Sequence, residues 1–186
     1  MKTFNSSENL ARQIKKCRKC LLWKTRTRTV PGEGNPRTKI MIIGEGPGEE
    51  EDKQGRPFCG RAGKFLDELL KLADLEREKI FITNVVKCRP PKNRAPKKEE
   101  VAACRPWLEE QIKILKSKLI ITLGSLALNW FLPDLKISEV HGQIRKLKIK
   151  KLKFKIFPVY HPVAAFRQGS LRKILKRDFR KLEKNY

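Results

Sequence analysis

Three short runs rich in β-branched residues, Lys39–Ile43, Ile80–Thr83 and Leu119–Leu123, are apolar without alternation. A strand with one wet face alternates, so a run that is apolar throughout must be covered on both faces. No other feature constrains the chain as tightly. The segments between the runs supply the cover. Phe65, Leu66, Leu69, Leu70 and Ala73 recur at three- and four-residue spacing and predict a helix from about Ala62 to Ala73. Pro96–Glu100 opens a second, reaching about Lys116, with proline near its first turn. Phe154–Tyr160 reads as a fourth strand, and a stripe from Leu171 to Leu182 predicts a last helix over about Leu171–Lys184. The alternation of strand and helix predicts a mainly parallel sheet with helices on both faces. A length of 186 residues suits one domain spanning 1–186.

Charge bears on the partner. Forty-four Lys and Arg against 20 Asp and Glu leave +24, a surplus that favours a polyanion, with nucleic acid as the default. A heat-adapted surface would account for the 34% charged composition, but not for its imbalance. Basic residues crowd Arg145–Lys155, where the alternation slips phase at Lys150-Lys151, as expected of a bulge or of two strands joined by a tight turn. Lys148, Lys150, Lys153 and, further on, Arg167 are candidate phosphate contacts. The loop Pro162–Gly169 is the candidate wedge for opening a duplex. No apolar run approaches the ~20 residues of a membrane span. The start, Met1–Glu8, lacks the apolar core of a secretory signal. The expectation is a cytoplasmic, nucleoid-associated protein whose five cysteines are not in disulfides.

In parallel sheets, functional loops gather at the carboxyl ends of the strands. Here those ends carry Gly44–Gly48, Asn84–Asn93, Gly124-Ser125 and His161-Pro162. The first imitates a dinucleotide loop, but Glu49 replaces the third glycine and Glu49–Asp52 would repel a pyrophosphate. Gly60–Lys64 imitates a P-loop and lacks both its first glycine and its hydroxyl residue. What remains is a tight turn at Gly46 that admits a ligand close to the backbone and aims Glu45 out of the sheet end.

Cys17 and Cys20 form a C-x2-C pair around Arg18-Lys19, too polar for a core turn, and Cys88 and Cys104 bring the thiols to four. A zinc knuckle usually has two such pairs, whereas a [4Fe–4S] cluster accepts scattered cysteines, so spacing leans to iron–sulfur and leaves zinc open. Proline two residues after both Cys88 and Cys104 predicts two similar ligand-bearing turns. Cys59 reads as a small core residue.

Together these pieces resemble the family 4 uracil-DNA glycosylases, iron–sulfur members of their superfamily. The resemblance rests on Gly44-Glu45-Gly46-Pro47-Gly48, on Gln54–Phe58 running into Gly60-Arg61-Ala62-Gly63, on Thr83–Pro91, on His161-Pro162 and on the cysteine spacing, and it extends from about Cys17 to Phe179. It implies a three-layer α/β/α fold with a central four-stranded parallel sheet, and a [4Fe–4S] cluster on Cys17, Cys20, Cys88 and Cys104. It implies a catalytic carboxylate at Glu45, a stacking ring at Phe58, a uracil-reading amide at Asn84, an anion-stabilising histidine at His161, and at Glu51 an acidic residue that helps to exclude thymine. Cys59 departs from the family's small aliphatic residue. The basic insertion of a covalent-capture branch is absent, since Gly60–Phe65 runs straight into the helix.

The implied reaction flips uracil out of single- or double-stranded DNA and hydrolyses its N-glycosidic bond, releasing free uracil from a monomeric enzyme. An asparagine amide offers uracil a donor for O4 and an acceptor for N3–H, and cytosine presents the opposite pattern. The leaving base gains negative charge and the sugar positive charge, so a donor at O2 and a carboxylate near C1′ are needed. Glu45 would steady the cation or orient the water. On residues alone, Asn84 also reads as a turn asparagine and His161 as a strand-end histidine bonded to backbone. The competing function is a non-catalytic iron–sulfur or zinc nucleic-acid-binding module.

Overall fold

The computed structural model describes residues 6–149 and 152–182. Its elements, in order, are α1 (Ser7–Lys15), β1 (Glu33–Gly34), β2 (Ile40–Gly44), α2 (Glu49–Gln54), α3 (Arg61–Lys71), β3 (Phe81–Asn84), α4 (Lys98–Leu115), β4 (Leu119–Leu123), α5 (Ser125–Phe131), α6 (Ile137–Val140), β5 (Arg145–Ile149), β6 (Leu152–Val159), α7 (Ala164–Arg167) and α8 (Gly169–Leu182). The sheet has six strands in the order β1-β3-β2-β4-β6-β5. The inner four are parallel, as expected, and the two edges are antiparallel. The edges add two strands to the four expected, because β1 is too short to show a pattern and β5 belongs to the basic stripe. Ile149 pairs with Leu152, so the phase slip is a hairpin rather than a bulge. Lys150 and Lys151, between them, lie outside the described residues.

The period-2 geometry of each strand divides its side chains between two cores. Ile40, Ile42, Leu119, Ile121, Phe157 and Val159 face α3 and α8 with Phe65, Leu66, Leu69, Leu175 and Phe179. Met41, Ile43, Ile120 and Ile156 face the other way, onto Leu10, Ile14, Trp107, Leu108 and Ile112 of α1 and α4. This two-sided burial is why β2, β3 and β4 read as uninterrupted apolar runs, every residue in them being buried. The bounds of α3 and α4 differ little from the expectation; α8 begins two residues early, its expected end at Lys184 lies outside the described residues, and the segment Pro162–Gly169, expected as a loop, contains the short helix α7. The acidic run Glu49–Asp52 proves to be the first turn of α2, where negative charge suits the helix N-terminus. His141 and Asp178 join α6 to α8 at 2.6 Å between Nδ1 and Oδ2, with Asp178 fully buried. No helix among the described residues is long and apolar enough to cross a membrane.

Candidate active site

Every strand-end loop marked by the sequence opens at one end of the sheet, and three of them meet in a pocket of about 560 Å³ lined by Glu45, Gly46, Glu51, Phe58, Asn84 and His161. Glu45 and Gly46 follow β2. The turn is tight because the Val85 and Val86 N–H groups donate to the carbonyls of Gly44 and Glu45 at 2.9 and 3.1 Å. Glycine is required there by close approach: a Cβ at Gly44 would overlap the Asn84 amide oxygen and stand 2.6 Å from the Phe58 ring, and one at Gly46 would stand 2.7 Å from Val86. The Glu45 carboxylate is half-buried, and burial holds its pKa above the ordinary carboxylate range.

Asn84 ends β3 and is 1% exposed, yet its Oδ1 has no hydrogen-bond partner among the described residues. Buried acceptors are almost always paired, so one left open beside a pocket is placed to receive a donor from a ligand. Phe58 sits beside it with φ +49°, a left-handed conformation unusual for a side chain of that size. Gly63 of α3 makes that conformation possible, since any Cβ there would overlap the Phe58 carbonyl. Arg77 holds the preceding Pro57 carbonyl at 2.6 Å.

His161 follows β6, its ring centroid 5.8 Å from that of Phe58 at 32°. The Val163 N–H donates to His161 Nδ1 at 3.2 Å, so a neutral ring carries its proton on Nε2. Burial lowers the pKa to about 4, which keeps the ring neutral and Nε2–H available as a donor. Gly124, after β4 with φ +86°, lets that loop close against His161, since a Cβ at this glycine would stand only 3.0 Å from the histidine's own.

Glu51 lines the pocket, but its carboxylate is engaged by backbone. Oε2 accepts from the Gly48 N–H at 3.0 Å, and Oε1 accepts from Cys59 and Gly60 at 3.0 and 2.9 Å. It therefore clamps the Glu45 loop to the Phe58 loop. Cys59 is only partly buried beside this clamp, not in the core.

Cys17, Cys20, Cys88 and Cys104 all line one small cavity on the α1–α4 side of the sheet. Among the described residues no three potential ligands are grouped as a ready coordination shell. The expected pair of similar turns is not found: Cys88 is in a loop, but Cys104 lies inside α4 with Pro106 after it. The buried stripe of that helix, Cys104–Trp107–Leu108–Gln111, prevails over the proline signal, and Pro106 sits inside the helix although it has no N–H to donate. Three sulfurs receive N–H groups: Cys17 from Trp107 Nε1 at 3.2 Å, Cys88 from Arg26 at 3.1 Å and Cys104 from the Lys87 backbone at 3.3 Å.

Arg167 lines the pocket mouth. Lys148 and Lys153 do not approach it: they face solvent at the opposite end of β6, eight residues before His161, or about 25 Å away at ~3.3 Å per residue. Lys150 lies outside the described residues.

A sequence profile of the uracil DNA glycosylase superfamily matches residues 31–183, a span that holds every pocket residue just described. The chain belongs to that superfamily. Among its relatives, a Type-4 uracil-DNA glycosylase of Sulfurisphaera tokodaii is 46% identical over 96% of this chain and 84% of the relative. One from Thermotoga maritima is 47% identical over 94% and 91%. A Type-5 uracil-DNA glycosylase of Thermus thermophilus is 37% identical, but only over 54% of this chain and 52% of the relative. Several contacts of this superfamily site carry no mark in the sequence. Gly63 falls within the motif Gly60-Arg61-Ala62-Gly63, but nothing there signals its contact with a carbonyl five residues earlier. Arg26 and Trp107 look like surface and core. Lys87 falls within a motif, but nothing marks it as buried.

Proposed function

We propose that this chain is a uracil-DNA glycosylase that receives an extruded uracil and hydrolyses its N-glycosidic bond, leaving an abasic site and free uracil. The observation that carries the reading is the open Asn84 acceptor beside the Phe58 ring and the neutral His161 donor. Uracil stacks on Phe58, its N3–H donates to Asn84 Oδ1 and its O4 accepts from the amide nitrogen. As the bond breaks, charge on O2 is met by His161 Nε2–H. Across the pocket, the Glu45 carboxylate serves the positive charge near C1′ and the attacking water. Gly46 lets backbone approach the base, and Glu51 holds the two loops in register.

Cys17, Cys20, Cys88 and Cys104 suit a [4Fe–4S] cluster as a donor set, with three N–H groups already directed at sulfur. Burial above all raises the thiol pKa values of Cys20 and Cys88, and takes that of Cys104 to about 12, a tendency that a bound cation would reverse. The cluster's contribution is structural, because base excision moves no electrons. DNA phosphates meet Arg167 at the mouth, with Phe166 of α7 and Val163, which caps it, exposed and placed to wedge the duplex. The reading is of one catalytic domain over residues 1–186, acting as a monomer on DNA in the cytoplasm, at the nucleoid.

The test is incubation of the pure protein with an oligonucleotide carrying one uracil, followed by alkali. Cleavage at the uracil and not at cytosine is the expected result. Tight binding without excision would return the chain to the class of nucleic-acid-binding modules.

A further inference from the structure

Lys87 heads the fully buried side chains, and no step of the excision chemistry uses it. It lies in the turn that begins at Asn84 and ends at Cys88. Its Nζ donates to the Thr83 hydroxyl at 2.7 Å, to the Asn84 backbone carbonyl at 2.6 Å and to the Gln111 amide oxygen at 2.6 Å. No carboxylate is among these partners. Burying a lysine opposes folding even where its Nζ is fully hydrogen-bonded, the neighbouring sulfurs of Cys88 and Cys104 offsetting the cost only in part, and an apolar side chain of similar volume commonly serves stability better. A lysine here therefore has its rationale in what it holds.

The acceptors around it are themselves fixed. The Thr83 hydroxyl donates to the Pro31 carbonyl at 3.0 Å, and Gln111 Nε2 donates to the same carbonyl at 2.6 Å. The backbone of Lys87 is held as firmly, its N–H on Cys104 Sγ at 3.3 Å and its carbonyl accepting from Val30 at 2.8 Å. One residue thus reaches the pocket asparagine through its side chain and the cysteine centre through its backbone.

We propose that Lys87 is a positioning residue for base recognition: by gripping the Asn84 carbonyl it fixes how far the Asn84 amide reaches into the pocket, and it ties that reach to the cysteine centre. The inference rests on the reading of Asn84 as the side chain that contacts uracil. Displacement of the centre would then slow uracil excision through Asn84 as well as loosen the fold.

A double-mutant cycle separates positioning from simple support. Single-turnover excision at saturating protein is measured for Lys87→Met, Asn84→Ala and the double variant, with melting temperature and DNA affinity measured alongside. Lys87→Met should slow excision at least tenfold with DNA affinity within twofold of wild type. Added to Asn84→Ala, it should change the rate less than twofold, because the group it positions is gone. Equal penalties in the two backgrounds overturn the proposal, since a merely structural lysine would harm both alike. An Asn84→Ala variant that cleaves at the wild-type rate refutes the base-recognition reading itself, and is recognised without reference to Lys87. Should Lys87→Met not fold, Gln111→Leu removes one of the three acceptors and leaves the lysine in place. The same cycle then applies, with a several-fold loss expected when Asn84 is present and none in the Asn84→Ala background.

Discussion

On the proposed reading, the single amide of Asn84 carries selectivity. In Asn84→Asp the shape is kept and the donor is lost, so uracil O4 faces an acceptor in a dry pocket at about 1–3 kcal/mol. At ~1.4 kcal/mol per tenfold, single-turnover excision should fall several-fold to about a hundredfold while uracil-over-cytosine selectivity narrows. A normally folded variant with an unchanged rate would make Asn84 a turn residue only. His161 and Glu45 predict the pH behaviour. Because burial holds the His161 pKa near 4, the excision profile should show no inflection at 6.5, the ordinary histidine value. Its acid limb should instead report Glu45, placed above the ordinary carboxylate value, and should vanish from the residual activity of Glu45→Gln. The linkage signs are opposite in consequence. His161 binds its proton less readily folded than unfolded, so stability is full above pH 6.5 and declines as pH falls toward 4. Glu45 keeps its proton more readily folded, so ionising it at neutral pH opposes folding, and Glu45→Gln should melt higher than wild type while losing activity.

Two loops are held in working position by contacts from the neighbouring helices α2 and α3. Glu51 accepts three backbone N–H groups across the gap between the β2 and α3 loops. Glu51→Gln replaces one acceptor oxygen with a donor facing N–H groups, which should lower stability by about 1–3 kcal/mol and raise the substrate requirement more than it lowers the maximal rate. A maximal rate that collapses at unchanged affinity would assign Glu51 to the chemistry instead. Gly63→Ala drives a methyl group into the Phe58 carbonyl and must relax the left-handed turn that presents the ring. Excision should fall at least tenfold, with a drop in melting temperature smaller than that of a core truncation. At this scale the sequence is informative about spacing and silent about contact. The stripe of α3 is visible in Phe65, Leu66 and Leu69, whereas nothing in the string Gly60-Arg61-Ala62-Gly63 distinguishes a helix start from a helix that touches the turn before it.

For the molecule as a whole, the +24 charge makes phosphate neutralisation the main source of DNA affinity, and the dissociation constant should rise steeply with salt. Position decides which charges matter. Arg167 at the mouth should account for about one unit of the log–log salt slope when replaced by alanine. Charge reversal of Lys148 and Lys153 together should change affinity for a short uracil duplex less than Arg167→Ala does, because they lie about 25 Å along the sheet from the pocket. Lysines on β5 and its neighbour also guard an open sheet edge, a sufficient reason for their presence. A larger loss from the hairpin than from Arg167 would show that DNA wraps the far end. The cysteine centre should give brown protein with broad absorbance near ~400 nm, and Cys88→Ser should lower melting temperature and activity together. Zinc without iron in anaerobically prepared protein would refute the cluster.

The sequence by itself determined the four parallel inner strands of the sheet and the end at which the pocket opens, because burial on two faces writes an uninterrupted apolar run and parallel topology sends every strand-end loop to one side. It also delivered the pocket side chains as residue types with plausible chemistry. Which atoms those side chains leave free was decided only in three dimensions. The Asn84 oxygen is open, Nδ1 of His161 is taken by Val163, the Glu51 carboxylate is engaged by backbone, Lys87 grips Asn84 and the basic hairpin points away from the pocket. The Glu51 bonds to Cys59 and Gly60 join separate loops, whereas Val163 on His161 and Lys87 on Asn84 are short-range bonds set by how each turn folds, which no residue pattern records. Such facts become legible only when the chain has folded.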